Sequence, residues 1–111
     1  MHEMSLTQGI IEICEEHAAG KKVLSLEIEL GELSGVVAES VEFCFDACSR
    51  GTLLEGAKLH IVKLAGSGYC HNCKTETVMA TLYDSCSNCG SYQMSLTSGK
   101  EMRVVSIEVE D

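Results

Sequence analysis

Two groups of residues in this chain have the types and spacing to bind metal. The first is a pair of C-x-x-C knuckles, Cys70-His-Asn-Cys73 and Cys86-Ser-Asn-Cys89, separated by twelve residues. A knuckle lets two thiolates converge on one ion while backbone N–H groups point at the sulfurs, and two facing knuckles close a tetrahedral S₄ site. Gly90 directly after the second knuckle supplies the permissive backbone such a turn needs. Zinc is the expected ion, with iron in a rubredoxin-like site as its rival, since S₄ geometry alone does not separate them. Four thiolates leave no open position for a substrate water, so the expected role is structural. His71 lies inside the first knuckle and reads as exposed or supporting, because ligation would require it to displace a cysteine.

The second group is the chain's beginning, Met1-His2-Glu3. A histidine at position two brings the Met1 α-amine, the His2 backbone amide and the His2 imidazole into fused chelate rings. The amide of Glu3 can complete a planar set of nitrogens around a d⁸ ion, and the Glu3 side chain can shield or hydrogen-bond the imidazole. Planar nitrogen coordination suits Ni(II) or Cu(II) and is poor for Zn(II). Taken alone the signal is weak, because a histidine at position two also fits a plain solvated terminus.

The remaining candidates read as structural. Cys14, Cys44 and Cys48 fall on the apolar faces of their helices, where a free cysteine behaves as a small hydrophobe. Cys44 and Cys48, at i and i+4, would grip a thiophilic ion only if that face were open. His17 reads as a satisfied or partly exposed helix histidine, with an auxiliary ligand as the alternative. His60 has no assigned role, and Glu12, Glu15 and Glu16 form a solvated face. No Gly-rich phosphate loop, calcium loop or nucleophile–base arrangement can be argued from the sequence, so an enzyme is not expected.

Periodicity supplies the elements that must position these groups. Leu6, Ile10, Ile13, Cys14 and His17 recur at helical spacing over Ser5 to Ala19, with Ser5 and Gln8 as a capping box and Gly20 as the stop. From Val23 to Leu30 the period changes to two, with Leu24, Leu26, Ile28 and Leu30 facing one way. The Gly31–Gly35 turn leads to a second helix over Ala38 to Ser49, with Val41, Cys44, Phe45 and Cys48 as its apolar stripe. A short strand over Leu59 to Leu64 follows, and Gly66-Ser67-Gly68 breaks the pattern. From Tyr69 to Tyr92 the chain is polar and cysteine-rich, too poor in apolar residues to fold without help from a metal. The last strand, with Arg103, Val105, Ile107 and Val109 on one face, has no local partner and is expected to return to the first sheet. The fold class is therefore α+β: two helices on a small three-stranded mixed sheet, with an inserted zinc-ribbon (rubredoxin-like knuckle) module. The expected division is 1–65 with 99–111 as the domain that carries the N-terminal nitrogen chelate and 66–98 as the zinc-binding domain.

Composition narrows the function classes. The 111 residues carry 8 Lys+Arg against 17 Asp+Glu, a formal charge of −9, which disfavours nucleic acid and anionic membrane surfaces. No apolar run approaches the ~18 residues of a membrane helix. Met-His-Glu-Met-Ser-Leu has neither the basic nor the long apolar stretch of a secretory signal, so a cytoplasmic location is expected. Seven cysteines in such a setting read first as metal ligands, and their odd number argues against a closed disulfide framework.

Taken together, Met1-His2-Glu3-Met4-Ser5-Leu6, the Gly31-Glu-Leu-Ser-Gly35-Val36 turn, the two knuckles and the closing Val105-Ser-Ile-Glu-Val109 resemble the HypA/HybF hydrogenase maturation factors, in order and over essentially the whole chain. The resemblance implies a nickel metallochaperone. Its transferable Ni(II) would be held by the Met1 amine, the His2 imidazole and the backbone nitrogens of His2 and Glu3, and its structural Zn(II) by Cys70, Cys73, Cys86 and Cys89. The implied partners are the GTPase HypB, which would supply nucleotide hydrolysis, and the large subunit of [NiFe]-hydrogenase; some members also serve urease. The chain itself would be a monomer or homodimer. One departure is Ala-Gly-Ser-Gly after Leu64, where relatives often carry a proline-containing connection, which implies a looser hinge. Two rival readings stand beside this one: a zinc-ribbon interaction adaptor with no transferable metal, and a rubredoxin-like electron carrier.

Overall fold

The computed structural model describes residues 2–111, without the side chain of His2. Its elements run α1 (His2–Ala18), β1 (Val23–Gly31), α2 (Ala38–Cys48), β2 (Lys58–Leu64), β3 (Gly66–Cys70), β4 (Glu76–Met79), β5 (Met94–Ser98) and β6 (Met102–Val109). The strands form two three-stranded sheets, in the orders β2-β1-β6 and β4-β3-β5. The final strand does return to the first sheet, and the cysteine-rich strands build a sheet of their own. The chain divides into two compact units, Met1–Glu29 with Val36–Val62 and Arg103–Asp111, and Leu30–Gly35 with Lys63–Met102.

In the first unit the core is assembled from Ile10, Ile11, Cys14 and Ala18 of α1, Val23, Leu26 and Ile28 of β1, Val41, Cys44 and Phe45 of α2, and Leu54. Each large aliphatic side chain buried there contributes about 1.5–3 kcal/mol. The stripe on α1 differs from the expected one. Ile13 is 45% exposed and His17 is exposed, while Thr7 and Ile11 are buried in their place. Spacing of three and four alone admits either stripe, and the one that is buried centres on Ile10 and Cys14. Thr7 is accommodated because its hydroxyl donates to the Glu3 carbonyl at 2.6 Å.

The capping box at Ser5 does not form, because α1 already begins at His2 and Ser5 lies inside it. Met4 packs its sulfur 3.0 Å from that of Cys48 on α2, a tertiary contact that anchors the first turn and overrides the local start signal at Ser5. The helix ends at Ala18, followed by Ala19 and Gly20 at φ 53° and 87°. Glu15 is not simply solvated: its carboxylate accepts the Leu53 backbone N–H at 3.0 Å.

On β1, Leu26, Ile28 and Leu30 are buried as expected, but Leu24 is exposed and Val23 is buried instead. On β6 the half-buried positions are Met102, Val104, Ile107 and Val109, so the shielded face is not the expected Arg103, Val105, Ile107 and Val109 throughout but changes phase along the strand. Arg103 consequently points outward and meets Glu29 at 2.6 Å.

In the second unit Gly66, Ser67 and Gly68 are not a break but the start of β3, the central strand of its sheet. A β-carbon at Gly66 would stand 2.6 Å from the Met79 carbonyl oxygen and press on Leu33; one at Gly68 would meet the Met79 sulfur. Here glycine serves close approach of backbones rather than a turn. β3 pairs antiparallel with both β4 and β5. The 31–35 turn is tied into the same unit by Gly31 N–H to Glu101 carbonyl (2.7 Å), Glu32 N–H to Leu64 carbonyl (2.8 Å) and Leu33 N–H to Gly99 carbonyl (2.7 Å). Its buried apolar groups are few, chiefly Leu30, Leu33, Met79 and the knuckle residues Cys70 and Cys86.

Candidate metal centre

Each knuckle is built by the same local hydrogen bonds. In the first, Cys70 N–H donates to the Thr75 carbonyl and Lys74 N–H to the Cys70 carbonyl, both at 2.8 Å. In the second, Cys86 N–H donates to the Ser91 carbonyl and Gly90 N–H to the Cys86 carbonyl, again at 2.8 Å. The residue after each second cysteine turns into the left-handed region, Lys74 at φ 59° and Gly90 at φ 80°. Glycine takes that conformation freely; Lys74 takes it at a cost of roughly 1–2 kcal/mol.

The result is that the sulfurs of Cys70, Cys73, Cys86 and Cys89 all lie within 4.8 Å of one another. Cys70 and Cys89 are 3.6 Å apart, and Cys73 and Cys86 3.7 Å. A tetrahedron of metal–sulfur bonds near 2.3 Å has edges of about 3.8 Å, so these two edges already match those of a tetrahedral site. The donor set and its spacing fit zinc or another S₄ ion. Among the described residues, no other group of three or more His, Cys, Asp or Glu side chains clusters in this way.

Donors surround the sulfurs. Cys73 N–H points at Cys70 Sγ (3.5 Å) and Asn88 N–H at Cys86 Sγ (3.3 Å). The two asparagines cross over: Asn72 Nδ2 reaches Cys89 Sγ and Asn88 Nδ2 reaches Cys73 Sγ, each at 3.5 Å. Thr75 Oγ1 stands 3.0 Å from Cys73 Sγ. The Thr75 hydroxyl, then the Asn88 amide, pull the Cys73 thiol down to about 6. Backbone N–H groups of Cys89 and Asn88 lower Cys86 as well, whereas Cys70 is raised: the Cys73 N–H favours its thiolate, but burial and neighbouring thiols outweigh it. Asn72, Asn88 and Thr75 were not singled out by the sequence reading, although the repeat C-x-Asn-C in both knuckles was there to be seen.

His71 is exposed; its Nε2 is 2.6 Å from Ser95 Oγ and its ring meets Tyr69 edge-on with centroids 5.1 Å apart. Its backbone N–H donates to the Gln93 carbonyl at 2.9 Å.

Of the expected nickel ligands, Met1 and the His2 side chain lie outside the described residues, and Glu3 is half-buried in the first turn of α1. Cys14 and Cys44 are buried in the first unit, where burial pushes the Cys14 thiol up. Cys48 is half-buried. His17 is exposed, with Nδ1 2.9 Å from the Ile13 carbonyl. Beside it, Ile13, Cys14 and Val104–Ile107 line a cavity of about 180 Å³.

Residues 1–109 match the family described as "Hydrogenase/urease nickel incorporation, metallochaperone, hypA". The chain is 54% identical over 110 residues to the hydrogenase maturation factor HypA of Geobacter sp. (strain M21), covering 99% of this chain and 100% of that one. It is 44% identical over 113 residues to that of Azotobacter chroococcum mcd 1, with the same coverage. Among solved structures it resembles the Ni metallochaperone HypA from Helicobacter pylori, with TM-score 0.69 and 28% identity over 96% of both chains.

Proposed function

Because the chain belongs to the HypA family of nickel-incorporation metallochaperones, we propose that it binds Ni(II) at its first residues and delivers it for maturation of [NiFe]-hydrogenase, with urease as a further recipient. It does so in the cytoplasm, without catalysing a reaction of its own, alongside a HypB-type GTPase. The ligands are the Met1 amine, the His2 imidazole and the backbone nitrogens of His2 and Glu3. Cys70, Cys73, Cys86 and Cys89 hold structural Zn(II).

The observation that carries this reading, beyond the family, is that α1 begins at His2. The first N–H groups of a helix have no acceptor one turn earlier, so the amides of His2 and Glu3 can lose a proton to a metal without breaking a helical hydrogen bond. Helical ψ, near −42°, also keeps successive nitrogens on one side of the chain, as fused five-membered chelate rings require; extended ψ near +135° separates them. Among the described residues no helix is long and apolar enough to cross a membrane, which accords with a carrier that moves between protein partners.

Release follows from the same chemistry. A clamp made partly of deprotonated amides is dismantled by protons or by the recipient's thiolates, so nickel affinity falls as pH drops. A His2→Ala variant tests the assignment: it loses nickel and maturation activity while keeping its zinc. An adaptor with no transferable metal would keep its activity in that variant.

A further inference from the structure

The clamp and the sulfur cage leave one chemically distinct pair of donors unused. Met4 of α1 and Cys48 of α2 bring their sulfurs to 3.0 Å, across the contact between the two helices. Met4 is 40% exposed and Cys48 half-buried, so the pair is open to solvent, unlike Cys14 and Cys44. The sulfurs meet each other and make no other polar contact among the described residues.

A thiol and a thioether are both soft donors, and that combination selects Cu(I) over the harder divalent ions that nitrogen ligands prefer. We infer that Met4 and Cys48 form a two-sulfur site for a thiophilic monovalent cation, Cu(I), distinct from both the nitrogen clamp and the four-cysteine cage. On binding, Cys48 gives its S–H proton to solvent and forms a thiolate–copper bond, while the Met4 thioether donates a lone pair; the copper stays monovalent. The sulfurs stand closer than two ligands of one ion, so the pair opens as it binds. Met4 allows this, having three rotatable side-chain bonds and an exposed end. The site takes no atom from Met1 or His2, so its occupancy does not depend on the nickel reading.

The test is an anaerobic Cu(I) titration of the zinc-loaded full chain against bicinchoninate, with a chromogenic zinc indicator present. One Cu(I) is taken up before any zinc is released, and X-ray absorption shows sulfur around the copper. Cys48→Ser and the volume-conserving Met4→Leu each lower Cu(I) affinity at least ten-fold while zinc content stays the same. One extra residue before Met1 leaves Cu(I) uptake unchanged, which separates this site from the clamp. Zinc release with the first equivalent overturns the proposal, as does unchanged affinity in either variant, or loss of Cu(I) uptake in the extended chain.

Discussion

The Cys73 thiol is the residue that best shows how this protein prepares a metal site from ordinary groups. With Thr75 and Asn88 aimed at its sulfur, it titrates at about 6, so near neutral pH it is largely thiolate even without metal. Metal-free protein at pH 7 should therefore be alkylated by iodoacetamide at Cys73 before Cys70, whose thiol is raised; mass-spectrometric mapping of the first modified site checks this. The crossed asparagines act on the same balance. Asn72→Ala and Asn88→Ala should each weaken metal retention by about 10–100-fold, the usual effect of removing a hydrogen bond to a ligand, measured by competition with a chelator. The four cysteines were legible in the sequence because C-x-x-C spacing is itself the geometry. Their supporting asparagines were not read, since a polar residue inside a knuckle becomes meaningful only when the other knuckle is seen facing it.

At the scale of elements, the sequence was most readable where one physical cause acts alone and least where two compete. The stripe of α2 is buried as its spacing indicates at Val41, Cys44 and Phe45, and half-buried at Cys48. On α1 a cap signal at Ser5 competed with the tertiary anchor between Met4 and Cys48, and the anchor won. Gly66 and Gly68 carry the same ambiguity, since glycine marks either a turn or a close approach and only the position of Met79 and Leu33 decides. Gly66→Ala should therefore destabilise the protein by about 1–3 kcal/mol in thermal or denaturant unfolding, as overpacking does. At the position after its second cysteine one knuckle carries Lys74 and the other Gly90, both at positive φ. Lys74→Gly should stabilise by about 1 kcal/mol through relief of that strain. The loop before the second knuckle is held by Asp84, which accepts the Thr81 hydroxyl and the N–H groups of Ala80 and Thr81. These bonds, the hydroxyl first, lower its pKa from 3.8. The stabilisation is thus fully present above pH 3.8 and lost as pH falls through the lower folded value. Protection of the Ala80 and Thr81 amides, measured against their intrinsic exchange rates, should fall in that acid window, and should be reduced at neutral pH in Asp84→Asn.

At the scale of the molecule, the family membership and the two compact units frame a division of labour. The unit Leu30–Gly35 with Lys63–Met102 has a small apolar core, so metal removal should raise amide exchange through β3, β4 and β5 while α1 and α2 keep their protection. The net charge of −9, which four thiolates around a divalent ion would deepen by roughly two, favours basic surfaces on any protein partner. On the function proposed above, nickel is held by the chain's own first nitrogens and not by the sulfurs. The most direct test is a nickel titration, followed by metal analysis, of zinc-loaded protein beginning at Met1-His2, set beside the same protein with one residue added in front. The first should take up Ni(II) tightly, the second should lose that uptake, and both should hold equal zinc; equal nickel uptake by the two, or none by the first, would rule out a clamp of terminal nitrogens.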